Sequence, residues 1–521
     1  MHGGSVCIDD LFLMSYGLMD RQKLVHMTLP AHKTKIVCTI GPASSSYDVI
    51  RDMIREGMDI ARLNFSHGDL EGHRQIIRTI RSASQDIGRP VAIMADLPGP
   101  KIRIGRIAGE PVELQREDAF TLTTKEIIGD RTRAFVSFDR LPHAVRPGNL
   151  VFLNDGIIQL EVKNVGPADV LCRVVVGGEL RSRKGVNLPG IDLGISAFTD
   201  RDRECLRFVL DEGVDAISQS FVESGADIKA VREFAAALGR HPFVIAKIER
   251  SRALAHMDEI IESADGIMVA RGDLGVEIPI EDIAVVQKEI IRKANGSAKP
   301  VITATQMLES MTGNRRPTRA EATDVANAIL DGTDCVMLSE ESAMGKYPVE
   351  AVSMLGKIAA SIEPHRPEYL TREAIKTIAT TSDISTGDLI ALSLQSAIAR
   401  MSVAAVIVPS RGGTTARRLA RLRLPIWIAA ASPREATCRN LQFTYGVTTH
   451  HISEGSQNWD AYGREWVRAH DMPGEFVILI EGPSPINPGA NHKLEVIHLS
   501  ATPSSPDPAG EDLSGVPENR L

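Results

Sequence analysis

The stretch FVIAKIERS, residues 243–251, begins like a buried strand and ends in charge. Four apolar residues are followed by Lys247 and Glu249, with Ile248 between them. Because side chains two positions apart on a strand point to the same face, a cation and an anion share one face at the strand's carboxyl end. A structural ion pair would produce the same pattern, so the rest of the chain has to decide between a structural and a chemical role.

Short apolar runs of this kind recur along the chain, and amphipathic helical patterns separate most of them. In chain order the eight runs are TKIVCTI, MDIARLNFS, PVAIMADLPG, VDAISQSFV, FVIAKIE, ADGIMVARGD, PVITATQ and DCVMLSEES. Near-continuous apolar strands that alternate with helices are typical of a parallel sheet covered on both faces. Eight such units predict an α/β fold, a (β/α)8 TIM barrel formed by residues 31–98 and 189–363.

One unit of this barrel is interrupted after Pro98. Residues 99–188 alternate apolar and polar positions and contain many glycines, which predicts a small inserted β-barrel domain. An insertion in a βα loop lies at the catalytic mouth of such a barrel and could act as a lid. Beyond a proline-containing boundary, strands and helices alternate again, and we predict an open C-terminal α/β domain at residues 364–500. Residues 1–30 are expected to form a poorly ordered extension and residues 501–521 a disordered tail.

Composition narrows the class of protein further. The chain of 521 residues carries a net charge of -8, which gives no electrostatic footprint for nucleic acid. No apolar run approaches the ~18 residues that a membrane-spanning helix needs. The six cysteines form no CxxC pair, so we expect neither a disulfide framework nor a zinc site. Reduced thiols and a cytoplasmic location follow as expectations.

Polar side chains stand at the end of nearly every predicted barrel strand. A single one would be explained as a satisfied core residue, but a whole set is costly, because a buried charge costs several kcal/mol unless it is paired. Functional residues of such barrels gather at these strand ends. The set comprises Arg62, Asn64, Ser66, Asp96, Lys101, Arg103, Ser218, Ser220, Lys247, Glu249, Arg271, Gly272, Asp273, Thr303, Thr305, Ser339 and Glu341.

Within this set, Glu249 and Asp273 come from neighbouring strands. One or two carboxylates, with the other ligands supplied by substrate and water, suit Mg²⁺. Lys247 beside them and Arg62 across the mouth would bind an anion. Cations and a divalent metal around one anion are what phosphoryl transfer requires. The sequence contains no GxxxxGK[ST] and no GxGxxG motif, so it does not have the phosphate-binding loop of a P-loop enzyme or a dinucleotide-binding fingerprint.

Taken together, these segments resemble the pyruvate kinase family. The resemblance is carried by KTKIVCTIGPASSS, DIARLNFSHGDLEGH, RSRKGVNLPG, AKIE, VARGDLGVEIP, VITATQMLESM and PTRAEATDVANAILDGTDCVMLSEESAMGKYPVEAV, which cover most of residues 33–355. The order of the three domains also matches the family. The resemblance implies phosphoenolpyruvate and ADP as substrates, pyruvate and ATP as products, and a homotetramer.

The resemblance also implies roles for individual residues. Glu249 and Asp273 match the ligands of Mg²⁺ or Mn²⁺, and Lys247 matches the lysine at the transferring phosphoryl group. Further matches are Arg62 and Ser220 at the phosphate, Gly272 and Asp273 at the substrate carboxylate, Thr305 near the enolate carbon, and Arg103 and Lys184 at the nucleotide. Ser339 and Glu341 match a proton relay through water, although simple strand-end hydrogen bonding explains them equally well.

In its potassium-dependent form the family binds K⁺ near the residues that match Asn64, Ser66 and Asp96. This chain departs from the common pattern in DLPGPKIR, where Leu97 and Lys101 replace a threonine and a glutamate. A lysine ammonium carries the same charge as K⁺, and two such cations in contact would repel by several kcal/mol at an effective dielectric of about 20. We therefore predict that Lys101 replaces K⁺. The alternative is that Lys101 faces solvent and K⁺ still binds.

In the C-terminal domain, PSRGGTTARRL follows a strand and opens a helix. Small residues before a helix offer backbone N–H groups to an anion, and the family binds phosphorylated effectors in this domain. An ordinary strand–helix turn explains the same pattern equally well. The candidate effector residues are Arg411, Gly412, Gly413, Thr414 and Thr415. The later GPSPINPGANHK resembles the family's effector-side loop.

Two other classes of protein fit parts of the pattern. A metal-dependent barrel lyase or aldolase could share Glu249 and Asp273, but it would not need Arg103, Lys184 or a hinged β domain. A non-catalytic metabolite sensor on the same fold would be expected to have lost catalytic positions, whereas Lys247 and its neighbours are all present.

Overall fold

The computed structural model describes residues 29–366, 385–455, 457–483 and 491–500. The predicted tail and residues 1–28 of the predicted extension lie outside this part of the chain, as do residues 484–490 of the effector-side loop. Strands are numbered along the chain.

Eight parallel strands close into a barrel, and each lies within one of the eight predicted apolar runs. They are β1 Lys35–Thr39, β2 Met58–Asn64, β3 Ala92–Leu97, β12 Ala216–Gln219, β13 Phe243–Ile248, β14 Gly266–Ala270, β15 Val301–Ala304 and β16 Cys335–Leu338. Their order around the barrel is β1-β16-β15-β14-β13-β12-β3-β2. The predicted TIM barrel is confirmed. Residues of these strands are almost all buried on both faces, which explains their continuous apolar character.

Helices surround the barrel, and their ends follow ordinary capping chemistry. Thr199 with Asp202 and Thr318 with Glu321 form capping boxes, which satisfy the free N–H groups of a first helical turn. The helices are Tyr47–Glu56, Leu70–Ile87, Asp200–Asp211, Gly225–Ala237, Met257–Ser263, Arg271–Glu277, Ile283–Gly296, Arg319–Asp331, Glu340–Ala343 and Pro348–Ile362, with short 3-10 turns at Ser251–His256, Ile280–Asp282, Glu309–Thr312 and Glu363–His365.

The chain between β3 and Asp200–Asp211 forms the inserted β domain, which we call the lid. Its strands are β4 Val112–Leu114, β5 Ala119–Thr123, β6 Arg133–Phe135, β7 Leu150–Leu153, β8 Ile158–Val165, β9 Asp169–Val176, β10 Gly178–Leu180 and β11 Val186–Asn187, with one short helix at Leu141–Ala144. Six of them form a sheet in the order β11-β7-β8-β9-β5-β6, and β10 pairs with β4. Buried residues of these strands form a hydrophobic core that is separate from that of the barrel.

The C-terminal domain is an open five-stranded sheet with the order β19-β18-β17-β20-β21. Four strands are parallel and β21 is an antiparallel edge. The strands are β17 Val403–Pro409, β18 Trp427–Ser432, β19 Val447–His451, β20 Phe476–Glu481 and β21 Lys493–His498; the helices are Thr386–Ile398, Thr414–Ala420, Glu435–Asn440 and Trp459–Ala469, and Leu441–Phe443 is a 3-10 turn.

This domain packs against the amino-terminal end of the barrel and contributes a residue to the barrel interior. Phe443 is fully buried among barrel residues, and its ring stacks on Phe243 with centroids 5.5 Å apart. Beside it, Arg423 binds Asp334 through two bonds of 2.8 Å. The C-terminal domain therefore lies at the end of the barrel opposite the carboxyl ends of the strands.

Two further observations concern the class of protein. Among the described residues, no helix is long and apolar enough to cross a membrane. Five cysteines, Cys38, Cys172, Cys205, Cys335 and Cys438, are buried free thiols.

Candidate active site

Lys247 lies at the centre of a cluster of polar side chains at the carboxyl ends of the barrel strands. Its ammonium donates to the Ser220 hydroxyl at 2.7 Å and lies 2.9 Å from Glu249 Oε1 and 3.1 Å from Asp96 Oδ1. The Lys247 side chain is 9% exposed and both carboxylates are 3% exposed. The stretch FVIAKIERS, residues 243–251, thus carries a buried ion pair that belongs to a larger network of polar side chains.

Arg62 enters this network from β2. Its guanidinium binds the Asp96 carboxylate through Nε, at 3.1 Å, and through Nη2. Its Nη1 donates to the Thr39 hydroxyl at 2.8 Å, and the Ser218 hydroxyl donates to Asp96 Oδ1 at 2.7 Å. Asp96 therefore holds the two cations together across the barrel mouth.

The charges of this network follow from burial and neighbours. Burial by itself would raise the pKa of Asp96, but Lys247 and Arg62 outweigh it and lower that pKa to about 2. Burial likewise acts against the Lys247 ammonium, and the two carboxylates outweigh it and raise its pKa. At neutral pH the site therefore contains two positively charged side chains, Lys247 and Arg62. Asp96 is the carboxylate that pairs with both of them.

Glu249 and Asp273 are the predicted metal ligands. Glu249 Oε2 accepts from the Phe221 backbone N–H at 2.7 Å, and Asp273 lies in the first turn of Arg271–Glu277. Burial raises the pKa of Glu249, and the charge of Asp273 adds to this effect against the opposing Lys247. Two carboxylates that repel each other at a buried site are a donor set that fits a divalent cation.

The candidate metal site offers two protein carboxylates. Among the described residues, no group of three or more His, Cys, Asp or Glu side chains is arranged to hold an ion. A site with two carboxylates leaves positions for substrate oxygens and water, which is how Mg²⁺ is commonly bound.

Thr305 lies in a strained turn directly after β15. It has a φ of 69° and the following Gln306 a φ of 53°, a left-handed conformation that is costly for a β-branched residue. The Thr305 hydroxyl donates to the Ala304 carbonyl at 2.6 Å and accepts from the Gly272 N–H at 2.8 Å. Arg271 braces the turn by donating to the Thr305 carbonyl at 2.7 Å. Strain of this kind is concentrated at functional sites.

The two predicted relay residues meet after β16. Glu341 is fully buried, and its carboxylate accepts from the backbone N–H of Ser339 at 2.7 Å and of Leu308 at 2.9 Å. These bonds tie the end of β16 to the chain that follows Thr305. The relay itself stays a prediction.

The residues predicted for the monovalent-ion pocket are only partly brought together. Asn64 accepts from the backbone N–H of Ser66 at 3.0 Å, and the Leu97 carbonyl accepts from the Ser220 hydroxyl at 2.7 Å. Lys101 is exposed, and its Cε lies 3.9 Å from the position that a Cβ on Gly185 would take. The cations that contact Asp96 are Lys247 and Arg62. The exposed position of Lys101 corresponds to the alternative in which this side chain faces solvent.

The predicted nucleotide residues lie side by side where the lid joins the barrel. Arg103 forms an isolated antiparallel bridge with Gly185, and the Ile104 N–H donates to the Lys184 carbonyl at 2.9 Å. The two ends of the lid therefore run against each other and place both basic residues at its base.

In the C-terminal domain, four of the five predicted effector residues line a cavity of about 310 Å³. Arg411, Gly412, Thr414 and Thr415 lie in its wall, and Gly413, with a φ of 79°, precedes the first residue of Thr414–Ala420. Arg411 is paired with Glu454 at 3.1 Å.

Three residues that support the site were given no role from the sequence. Thr39 orients Arg62, Ser218 binds Asp96, and Arg271 braces the Thr305 turn. Ser218 and Arg271 were recognised only as polar strand ends. Thr39 could have been found by the same rule, since it ends β1.

A closed parallel barrel with a β lid and a buried cluster of cations and carboxylates defines a barrel enzyme that acts on an anionic substrate. Family models described as pyruvate kinase, barrel domain, and pyruvate kinase, alpha/beta domain, match residues 31–352 and 388–496. The chain belongs to the pyruvate kinase family and is a phosphotransferase with the function of a pyruvate kinase, as the sequence predicted.

Similar proteins support this assignment over most of the chain. Pyruvate kinase of Thermococcus litoralis is 49% identical over 81% of this chain and 89% of its own length. Pyruvate kinase of Geobacillus stearothermophilus is 40% identical over 90% of this chain and 80% of its own length. The crystal structure of CGD1_2040, a pyruvate kinase from Cryptosporidium parvum, has a TM-score of 0.84 at 34% identity and covers 90% of this chain and 96% of its own.

Proposed function

We propose that the barrel mouth transfers the phosphoryl group of phosphoenolpyruvate to ADP, giving pyruvate and ATP in glycolysis. The observation that carries this proposal is the buried cluster in which Lys247 and Arg62 face the carboxylates Asp96 and Glu249. When bound, Mg²⁺ or Mn²⁺ supplies Lewis-acid neutralisation of the negative charge on phosphate and enolate oxygens. Glu249 and Asp273 are the side chains that would hold it.

Arg62, Lys247 and Ser220 bind the phosphate in this proposal. The P–O bond to the enolate oxygen breaks as a P–O bond to the terminal phosphate of ADP forms. Lys247 stays protonated because Asp96 and Glu249 raise its pKa, and its ammonium is a compact donor that can follow the moving charge. Positioned charges of this kind supply most of the catalysis in phosphoryl transfer.

The enolate then takes a proton on carbon to give pyruvate. Thr305 is the residue proposed to deliver it, with Ser339 and Glu341 as a proposed relay behind it. The Gly272 N–H and the first turn that contains Asp273 would receive the substrate carboxylate, replacing the bond from Gly272 to Thr305. Arg103 and Lys184, at the base of the lid, would bind the phosphates of ADP.

The direct test of this assignment is Lys247→Met. Removal of a buried positive donor aimed at the transferring group is expected to lower kcat about a hundredfold or more. The measurement is formation of ATP from phosphoenolpyruvate and ADP with Mg²⁺. Lys357→Met, at an exposed lysine on the outer helix Pro348–Ile362, is the matched control and should keep native turnover. A Lys247→Met enzyme as fast as the native one would reject the role.

We also propose that activity needs no K⁺. The proposal is supported by the apolar side chain of Leu97 and by the positive charge of Lys101. It requires the Lys101 side chain, which is exposed in the structure, to turn inward. We expect turnover in a K⁺-free buffer to lie within twofold of that in K⁺, and Lys101→Glu to acquire K⁺ activation. Strong activation of the native chain by K⁺ would show that the solvent-facing alternative is correct.

Regulation and assembly are proposed from the family. The cavity lined by Arg411, Gly412, Thr414 and Thr415, with Gly413 next to them in the chain, is proposed to bind a phosphorylated effector, since hydroxyl and guanidinium donors lie in its wall. Addition of sugar phosphates and AMP to the same assay identifies the effector. A homotetramer in the cytoplasm is proposed as well, the location being supported by the buried free thiols.

A further inference from the structure

Arg250 follows the proposed metal ligand Glu249 and is buried, with 4% of its side chain exposed. Its guanidinium forms ion pairs with Glu223 at 3.2 Å and with Glu277 at 3.4 Å. Its Nη2 donates to the Ile191 carbonyl at 2.9 Å. One side chain thus joins three parts of the molecule, and the mechanism proposed above assigns it no task.

The Ile191 contact reaches the lid. We call residues 188–194 the return segment, because through it the chain passes from the lid back to the barrel. Leu188 and Leu193 are buried in the lid core, and Ile191 packs against that core. The barrel therefore holds, through Arg250, a segment whose apolar side chains belong to the lid.

The Glu277 contact reaches the metal site. Glu277 is the last residue of the helix Arg271–Glu277, whose first turn carries Asp273. Its side chain is 1% exposed and also accepts from the Ser251 N–H and hydroxyl, at 3.4 and 3.1 Å. Burial raises the pKa of this carboxyl group, and the charge of Arg250 and the backbone of Gly190, in the return segment, act against that rise.

An outer ion pair extends the same arrangement. Arg252 binds Glu223 at 3.1 Å and Asp192 of the return segment at 3.2 Å. These side chains are more exposed, so this pair contributes less than the buried one. The return segment is consequently held by Arg250 and Glu277 from inside and by Arg252 from outside.

We propose that Arg250 is a positioning residue that fixes the lid's return segment to the helix carrying Asp273. The lid is thereby held in a defined position relative to the proposed metal site. The proposal rests on the assignment of the barrel mouth as the catalytic site. Arg250 acts through Ile191 and Glu277 and touches no substrate. A guanidinium suits this task because it donates to the Ile191 carbonyl while its other two nitrogens lie within ion-pair distance of two carboxylates, which a lysine ammonium cannot reproduce in the same geometry.

The test is Arg250→Lys, which keeps the charge and removes the fork. Without substrates, we expect hydrogen–deuterium exchange of residues 186–194 to become at least tenfold faster, with the exchange of β13 unchanged. In steady-state assays we expect the KM for ADP to rise at least fivefold, because freeing the return segment also loosens Lys184, which precedes it in the chain, while the KM for phosphoenolpyruvate changes less than twofold.

Arg232→Lys is the matched control. Arg232 also bridges a carboxylate and a carbonyl, Asp265 at 2.7 Å and Ser263 at 2.9 Å, but neither of these partners belongs to the lid. It should leave both the exchange of residues 186–194 and the KM for ADP at native values. If Arg250→Lys does not fold, the double variant Arg250→Gln/Glu277→Gln is used in its place in the same measurements. This variant removes the buried charge from both partners.

Two results would overturn the proposal. One is native exchange in the return segment of Arg250→Lys. The other is faster exchange spread equally over the barrel, which would show a purely structural role. Because the exchange measurement uses no substrate, its outcome is independent of the Lys247→Met test, and failure of one assignment is distinguishable from failure of the other.

Discussion

At the scale of single residues, the charge balance of the barrel mouth depends on Asp96. Its carboxylate contacts Arg62, Lys247 and Ser218, and its pKa falls from 3.8 to about 2. A carboxyl group with a lowered folded-state pKa stabilises the protein above its unfolded pKa and loses that contribution as the pH falls through the folded value. For Asp96 the contribution is about 2 kcal/mol, present above about pH 4 and lost toward pH 2.

Asp96→Asn removes this titration. Between pH 4 and pH 2 we expect the native chain to lose about 2 kcal/mol more of its unfolding free energy than the variant does. Urea unfolding at a series of pH values measures the difference. Ser218→Ala keeps the carboxylate and both cations, so it should retain most of the native pH dependence. Parallel curves for the native chain and Asp96→Asn would contradict this account.

At the scale of secondary-structure elements, the helix Arg271–Glu277 and the Thr305 turn form one unit. A Cβ placed on Gly272 would lie 3.4 Å from Thr305 Cγ2, which is an ordinary van der Waals contact. A methyl group at this position would also cover the N–H that we propose for the substrate carboxylate. Neither steric crowding nor an unusual backbone conformation therefore requires this glycine, and the effect of a Cβ would fall on the space beside the N–H.

Gly272→Ala is expected to raise the KM for phosphoenolpyruvate at least tenfold while changing the unfolding free energy by about 1 kcal/mol or less, because alanine favours a helix and the new Cβ makes only an ordinary van der Waals contact. Gly275→Ala on the same helix is the control: its Cβ would meet only Ile280, at 3.4 Å. Equal KM values in the two variants would show that the Gly272 N–H does not meet the substrate.

At the scale of the whole molecule, the C-terminal domain completes the core of the barrel. Phe443 fills the end opposite the active site and stacks on Phe243. Bonds between Arg423 and Asp334, and between Arg439 and Asp215 at 3.2 Å, surround it. The barrel and the C-terminal domain should therefore lose stability together when this contact is damaged.

Phe443→Ala is expected to cost about 3–5 kcal/mol, the usual range for removing a buried aromatic ring. Phe443→Leu keeps most of the volume and should cost clearly less. Urea unfolding followed both by the far-ultraviolet signal and by enzyme activity measures the effect on the two domains. Loss confined to the C-terminal domain, with the barrel's midpoint unchanged, would contradict a shared core.

The sequence predicted much of this architecture because the periodicities are local. Eight apolar runs specified eight barrel strands, and the polar residues that end them specified the mouth. The sequence did not predict which side chains pair within the barrel mouth. Asp96 was predicted only as part of a monovalent-ion pocket, and in the structure it contacts both Arg62 and Lys247. A strand pattern gives the face on which a side chain lies, but not which side chain on another strand it meets.

The sequence by itself determined which chemical groups lie at the barrel mouth, because the alternation of side chains along a strand and the end of a strand are both local patterns of neighbouring residues. Only the tertiary structure decided how those groups are paired, where Lys101 lies, that Phe443 belongs to the barrel core, and that Arg250 joins the lid to the helix of Asp273. Those contacts join residues as many as 200 positions apart, such as Phe243 and Phe443, and their geometry is fixed by the closure of the barrel and the docking of whole domains.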